Sequence, residues 1–377
     1  MIGTEPSSPS PRRGSVRHTV LLVGVALWSF LLPQGVAAEP TEGSVQSKKW
    51  EISPLPLVFY TTDTGMAGGL TLVGAPKHGD RTDDQSSFVR LSATYAQKHQ
   101  GEFTAGVTGP LFGDGYLGEV EFGYFNYPAT FYGLGTDAEL SEGYESQQLE
   151  AAAAILRTVG THTYLGPQFA LGHQQFSEVA TDSKLATFLG HGVDSESFAG
   201  AGIVARYDSR NSPHFPTSGY FGEAQMTLHA MTREAAGMYV RFELDGRAFA
   251  SIGRSLVLAT RGFAASSLGE VPLAGMTELG GLFLLRGYPA GRYAGEHVVT
   301  GQAELRVPLF WRLRLVSFLA AGTVSRELDT LLVSPPKVSG GVGLRVAINQ
   351  ARDINVRVDL GFSPEGTGVY ITLLEAF

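Results

Sequence analysis

The side chains that carry chemistry in this sequence are charges set against one another, not nucleophiles or metal ligands. It holds no cysteine, which removes thiol nucleophiles, thiolate metal sites and disulfides. Neither H-E-x-x-H nor G-x-S-x-G occurs, and His162, His173 and His191 lack ligand spacing. "GAGIVA" (200–205) fits G-x-G-x-x-A, but the prolines of "RYDSRNSPHFP" follow where a dinucleotide site needs a helix. Two segments remain. "LLRGYPAGRY" (284–293) gathers Arg286, Gly287 and Tyr288, and "RYDSRNSPHFPTSGYF" (206–221) sets Asp208 beside Arg210. A guanidinium out of water needs a carboxylate, and its planar fork suits arginine to pinning a backbone segment on one. Gly287 allows a turn that a Cβ forbids. Asp208 and Arg210 read as holding a turn in place. No metal and no cofactor are expected.

The elements that must position these charges alternate with period two. In "VRFELDGRAFA", Val240, Phe242, Leu244, Gly246, Ala248 and Ala250 share one face, and Arg241, Glu243, Asp245 and Arg247 the other. "INVRVDLGF" and "GYFGEAQMTLHAM" repeat the pattern, so these are strands with chemically opposite faces. Runs of nine to thirteen such residues exceed the five or six usual in soluble strands and match a membrane barrel, apolar outside and polar inside. Aromatics in "FGYFNYPATFYG" (122–133) suit an interfacial girdle. Strands are expected near 55–61, 66–75, 87–97, 101–110, 116–126, 146–158, 162–177, 197–208, 218–230, 238–250, 255–266, 297–308, 312–324, 338–348, 354–362 and 367–377. The predicted fold is therefore all-β, a 16-stranded antiparallel transmembrane barrel. Residues 267–296 are too long for a hairpin turn and read as a functional loop.

Composition agrees. Charged residues are 17% and glycines number 48, as in a chain of strands and turns, and the net charge of −8 argues against nucleic acid. Arg12, Arg13 and Arg17 precede the apolar run Val20–Leu32, and Val36 and Ala38 suit a signal peptidase. This gives a signal peptide over 1–38, a short periplasmic segment over 39–54 and the barrel over 55–377, in the outer membrane of a Gram-negative-type bacterium.

On these segments the chain resembles the BamA/TamA-like outer-membrane barrels, the bacterial surface antigen family. Leu285-Arg286-Gly287-Tyr288 is similar to the family's hydrophobic-Arg-Gly-aromatic motif in the sixth extracellular loop. Asp208, Arg210, Asn211, Pro213, Phe215, Pro216, Thr217 and Gly219 fit its hairpin motif, and "LLEAF", ending on Phe377, resembles its terminal strand signal. The resemblance implies that the loop folds back into the barrel and that its arginine pairs with acids on the inner wall. Glu304 lies on the polar face and matches the family's acidic position; Ala320 stands where the family commonly has Asp, and Asp359 is the expected substitute. The periplasmic POTRA domains of the family's insertases do not fit between Glu39 and the first strand, so a barrel-only member is expected. The implied function is insertion of membrane protein or lipid through a weakly paired seam between first and last strands. Its partners would be outer-membrane lipids, unfolded outer-membrane proteins and a separate periplasmic protein. The alternative is a passive pore or structural barrel; an outer-membrane lipid hydrolase is a third reading, but no Ser–His pair stands out.

Overall fold

The computed structural model describes residues 50–76, 87–112, 115–135, 139–190, 193–232, 237–253, 255–349, 354–373 and 375–377. The leader expected over 1–38 lies outside the described residues.

Alternation produces one wall. Its strands are β1 (Trp50–Thr61), β2 (Gly65–Pro76), β3 (Phe88–Ala96), β4 (Gly101–Leu111), β5 (Tyr116–Phe131), β6 (Glu142–Thr158), β7 (Thr163–Ser177), β8 (Ser195–Asp208), β9 (Gly219–Met231), β10 (Met238–Ile252) and β11 (Leu256–Gly269). A small ribbon, β12 (Thr277–Leu279) with β13 (Tyr293–Gly295), interrupts the series, which resumes with β14 (His297–Pro308), β15 (Leu313–Ser325), β16 (Lys337–Asn349), β17 (Ile354–Ser363) and β18 (Gly366–Leu373). Apart from the ribbon these sixteen strands form a closed antiparallel barrel, each paired with its neighbours and β1 meeting β18. The faces fall as parity requires. In β10, Phe242 and Leu244 are exposed on the outside while Arg247 is buried within, and in β17 Asn355, Arg357 and Asp359 all point inward and are buried. Longer segments join strands at one end, among them 178–194 and 270–296; by the rule for such barrels this is the extracellular end, and both edges of the wall finish at the periplasmic one.

Three expectations shift. β1 begins at Trp50, not 55, so the wall takes in residues assigned to the periplasmic segment; Pro54 and Pro56 interrupt the alternating pattern there, and an edge strand tolerates them. β5 runs on to Phe131, and its aromatics divide between faces: Phe122 and Tyr124 face outward, whereas Phe125, Phe131 and Tyr132 are buried. Phe131 belongs to an extracellular cluster with Ala129, Tyr144, Phe176, Leu185, Leu189 and Leu273, not to a girdle. A short helix, Lys184–Leu189, supplies two of those leucines. Its first backbone N–H groups donate to the Glu142 carboxylate at 2.9 and 2.8 Å, and the Ser183 hydroxyl caps it.

Candidate functional site: a loop pinned in the lumen beside a short seam

The loop between β11 and β14 turns into the barrel because its apolar residues find a pocket there. Leu279, Leu284, Leu285, Tyr288 and Tyr293 pack with Phe263, Val298, Ala320 and Val324 of the wall. Ala320, the position where an acid was looked for, belongs to this apolar contact. Gly287 has φ +106°, and a Cβ there would lie 3.0 Å from backbone atoms of Gly361 and Phe362, so loop and β17 touch backbone to backbone.

Arg286 is fully buried at the tip. One guanidinium nitrogen donates to Asp359 and the other to Glu304, each at 2.6 Å, while the plane sits 3.5 Å over the Phe318 ring. Both acids are shared. Asp359 also takes Arg357 at 2.7 Å and Arg345 at 2.5 Å, and Glu304 takes Arg306 at 3.1 Å. Arg345 reaches Glu375 at 2.7 Å, and Asn355 donates to the same carboxylate at 3.2 Å. Four arginines and three carboxylates thus form one buried network.

Arg306 ties that network to the other motifs. It donates to the Pro216 carbonyl at 3.3 Å and to the Phe377 carbonyl at 3.2 Å. The 206–221 hairpin therefore abuts the base of the network. Within it Arg210 pairs with Asp208 at 2.7 Å, and the Asn211 side-chain oxygen accepts from Thr217 and Ser218 N–H at 3.0 Å. Gly219 takes φ +100°. Phe377 is buried against Phe249 and Ala259. The sequence reading missed Arg306, Arg345, Arg357, Asn355 and Glu375, although parity alone puts each of the three arginines on an inward face.

The loop also spans the junction of β1 and β18. On the β18 side the Tyr370 hydroxyl accepts from Gly287 N–H at 3.0 Å, Ser363 donates to the Gly287 carbonyl at 2.9 Å, and Glu365 takes Arg292 at 2.5 Å and the Tyr293 hydroxyl. On the β1 side, Asp63 in the turn after β1 accepts from Ala290 N–H at 3.2 Å. Burial pushes the Asp63 carboxyl up to about 6, against the lowering effects of that hydrogen bond and of Lys98.

Below this clasp the seam is short. β1 and β18 share two register pairs, Tyr60↔Ile371 and Thr61↔Tyr370, with Thr62 N–H donating to Val369 at 3.1 Å. β1 pairs with β2 at twelve positions and β17 with β18 at eight. Among the described residues, no three or more His, Asp or Glu gather in an arrangement able to hold a metal ion.

A closed antiparallel barrel of sixteen strands with its charges inside defines an outer-membrane β-barrel protein. Residues 85–364 match the Omp85 superfamily domain, and the chain belongs to that superfamily. Among solved structures it is similar to BamA from Haemophilus ducreyi lacking POTRA domains 1–3, at 12% identity and a TM-score of 0.60 over 93% of this chain and 77% of that one. It is also similar to CdiB from Escherichia coli, at 13% identity and a TM-score of 0.58 over 86% of this chain and 63% of that one. CdiB from Acinetobacter baumannii gives 11% and 0.54, with 86% and 60% covered. The chain thus spans less than two thirds of either CdiB. At such identities the likeness is one of fold. No curated protein matches the sequence.

Proposed function

We propose that the chain works in the insertion or translocation of outer-membrane components, parting its wall at the β1–β18 seam. The observation that carries this reading is the seam itself, two register pairs long between neighbours of twelve and eight. In hydrocarbon each unpaired backbone group costs several kcal/mol, so a wall opens where it has fewest bonds to break. Arg286, Gly287 and Tyr288 have the role of seating the loop, with Glu304 and Asp359 as its anchors. The loop in turn holds the extracellular end of the seam through Asp63 on one side and Tyr370 and Glu365 on the other. Exposed backbone edges of the parted strands would template an incoming strand. Membership of the Omp85 superfamily supports a role of this type.

The test is the folding rate of an urea-unfolded outer-membrane protein diluted into lipid vesicles, with and without the embedded chain. Faster folding is expected. Unchanged folding beside steady ion conductance would replace this reading with that of a passive pore.

A further inference from the structure

The first strand is apolar on both faces. Thr61 pairs with Tyr370, whose hydroxyl meets the loop inside, so the odd-numbered residues of β1 face the lumen. Register with β2 agrees: Leu55 lies opposite Thr71, whose hydroxyl bonds Ser92 within the barrel, and Phe59 lies opposite buried Ala67. Leu55, Leu57 and Phe59 thus point inward, while Ile52 and Val58 are exposed on the outside. The inward faces of β10 and β17 instead carry Arg241, Glu243, Asp245 and Arg247, and Asn355, Arg357 and Asp359. A strand apolar on both faces needs apolar matter on both sides. Yet Leu55, Leu57 and Phe59 are only half-buried and belong to none of the buried apolar clusters.

These side chains sit beside a breach in the paired wall. Among the described residues, Trp50 to Phe59 make no pairing toward β18, which ends at Leu373. Beyond it Glu375 meets Arg345 and Asn355, and Phe377 packs on Phe249 and Ala259, all within the lumen. At about 3.3 Å per residue and a tilt of about 45°, the unpaired run rises roughly 20 Å, enough to cross the periplasmic leaflet of a hydrocarbon core about 30 Å thick. Thr62 N–H donates to Val369, so the even-numbered residues of β1 turn their backbone groups into the breach. Two of them are Pro54 and Pro56, which have no N–H, so this edge shows hydrocarbon fewer unmet donors.

We infer that Leu55, Leu57 and Phe59 hold an acyl chain of a phospholipid, which enters the lumen from the periplasmic leaflet through this breach. The occupant has to be apolar, slender and available from the side to which the breach opens, and bilayer lipid is all three. Leu55 to Phe59 spans about 13 Å along the strand, comparable with one leaflet of a core about 30 Å thick. The headgroup stays at the periplasmic mouth, so no charge has to cross hydrocarbon. Lumen water in place of the chain would leave three large apolar side chains wet. The site needs no parting of the seam and is read out without a client protein, so it stands or fails separately from the proposed function.

The test uses phosphatidylcholine brominated at mid-chain, because bromine quenches indole fluorescence only near contact. The three tryptophans of the chain are removed as Trp28→Phe, Trp50→Phe and Trp311→Phe, and a single reporter is introduced. Leu57→Trp reports the site and Val58→Trp the lipid-facing side of the same strand. Ala170→Trp reports the lumen behind intact wall: it lies between exposed Phe169 and Leu171 on β7, which is paired there on both sides. In vesicles of the brominated lipid, Leu57→Trp should be quenched nearly as strongly as Val58→Trp and several-fold more than Ala170→Trp. Adding Leu55→Ser and Phe59→Ser should bring it down to near Ala170→Trp. Leu55→Trp is a second reporter of the same site should Leu57→Trp not reach the gel mobility of the folded barrel. Quenching at the site no stronger than at Ala170→Trp overturns the inference, red-shifted emission then meaning water on the strip and blue-shifted emission another part of the chain. Strong quenching that survives both serine substitutions overturns it as well, since lipid outside the wall would then account for the signal.

Discussion

Replacing Glu304 with glutamine should damage the barrel more than removing Arg286 itself, although the two residues form one pair. Among its side chains the buried network sets Arg286, Arg306, Arg345 and Arg357 against Glu304, Asp359 and Glu375, one more cation than anions. Arg286→Ala leaves three of each. Glu304 then keeps Arg306 at 3.1 Å, and Asp359 keeps Arg345 at 2.5 Å and Arg357 at 2.7 Å, so no acid is stranded. The loss is that of hydrogen bonds to charged groups whose acceptors are served again, about 1–3 kcal/mol. Glu304→Gln instead leaves four buried guanidinium groups facing two side-chain carboxylates, and removing one member of a buried pair costs about 3–5 kcal/mol. The gap of about 2 kcal/mol is a change of roughly thirtyfold in the unfolding equilibrium. The assay is urea unfolding of the barrel in lipid vesicles, followed by the difference in gel mobility between folded and heat-unfolded chain. An Arg286→Ala variant as unstable as Glu304→Gln, or more so, would refute the charge argument and leave the loop contact itself as the main source of stability.

Gly287→Ala should unseat the loop, since the positive φ costs a Cβ-bearing residue about 1–2 kcal/mol and the new methyl meets the backbone of Gly361 and Phe362 at 3.0 Å; trypsin added to vesicles should then cut at Arg286 and Arg292, and an uncut loop would contradict this. Asp63 has a folded value of about 6 against 3.8 for the free group, because burial penalises its charge more than the Ala290 hydrogen bond and Lys98 favour it: stability should rise as pH falls through about 6, by up to about 3 kcal/mol, and the gain should be complete below 3.8. Asp63→Asn should keep an acceptor for Ala290 N–H, raise stability at neutral pH and flatten that slope; a variant with an unchanged slope would place its origin elsewhere. Phe377→Ala, which empties the contact with Phe249 and Ala259, should cost about 3–5 kcal/mol in the same urea assay.

Period two made the strands legible because a barrel wall has lipid on one side and lumen on the other, so every residue of β10 or β17 declares its face. The same parity put Glu304 and Asp359 on the inner side. It carried no information on what closure brings together. Arg306 lies 71 positions before the Phe377 carbonyl that it meets, and 90 after that of Pro216. The first strand is expected from 55, and its true start at Trp50 lies beyond Pro54, in a stretch where Pro54 and Pro56 interrupt the alternation, as an edge strand tolerates. The aromatics of 122–133 looked like a girdle because composition does not tell an outward ring from one folded under an extracellular helix. Inside the loop, β12 and β13 are three residues each, too short for any period to register.

The central claim is that the wall parts between β1 and β18. Tyr60 and Ile371 are paired across that seam, and the chain has no cysteine, so Tyr60→Cys with Ile371→Cys allows a disulfide to be made and broken there alone. The measurement is the folding rate of an unfolded outer-membrane protein in vesicles holding this variant, first oxidised and then reduced. The account predicts that acceleration disappears when the seam is locked and returns with reductant. Equal acceleration in both states would mean that this seam is not where the chain works.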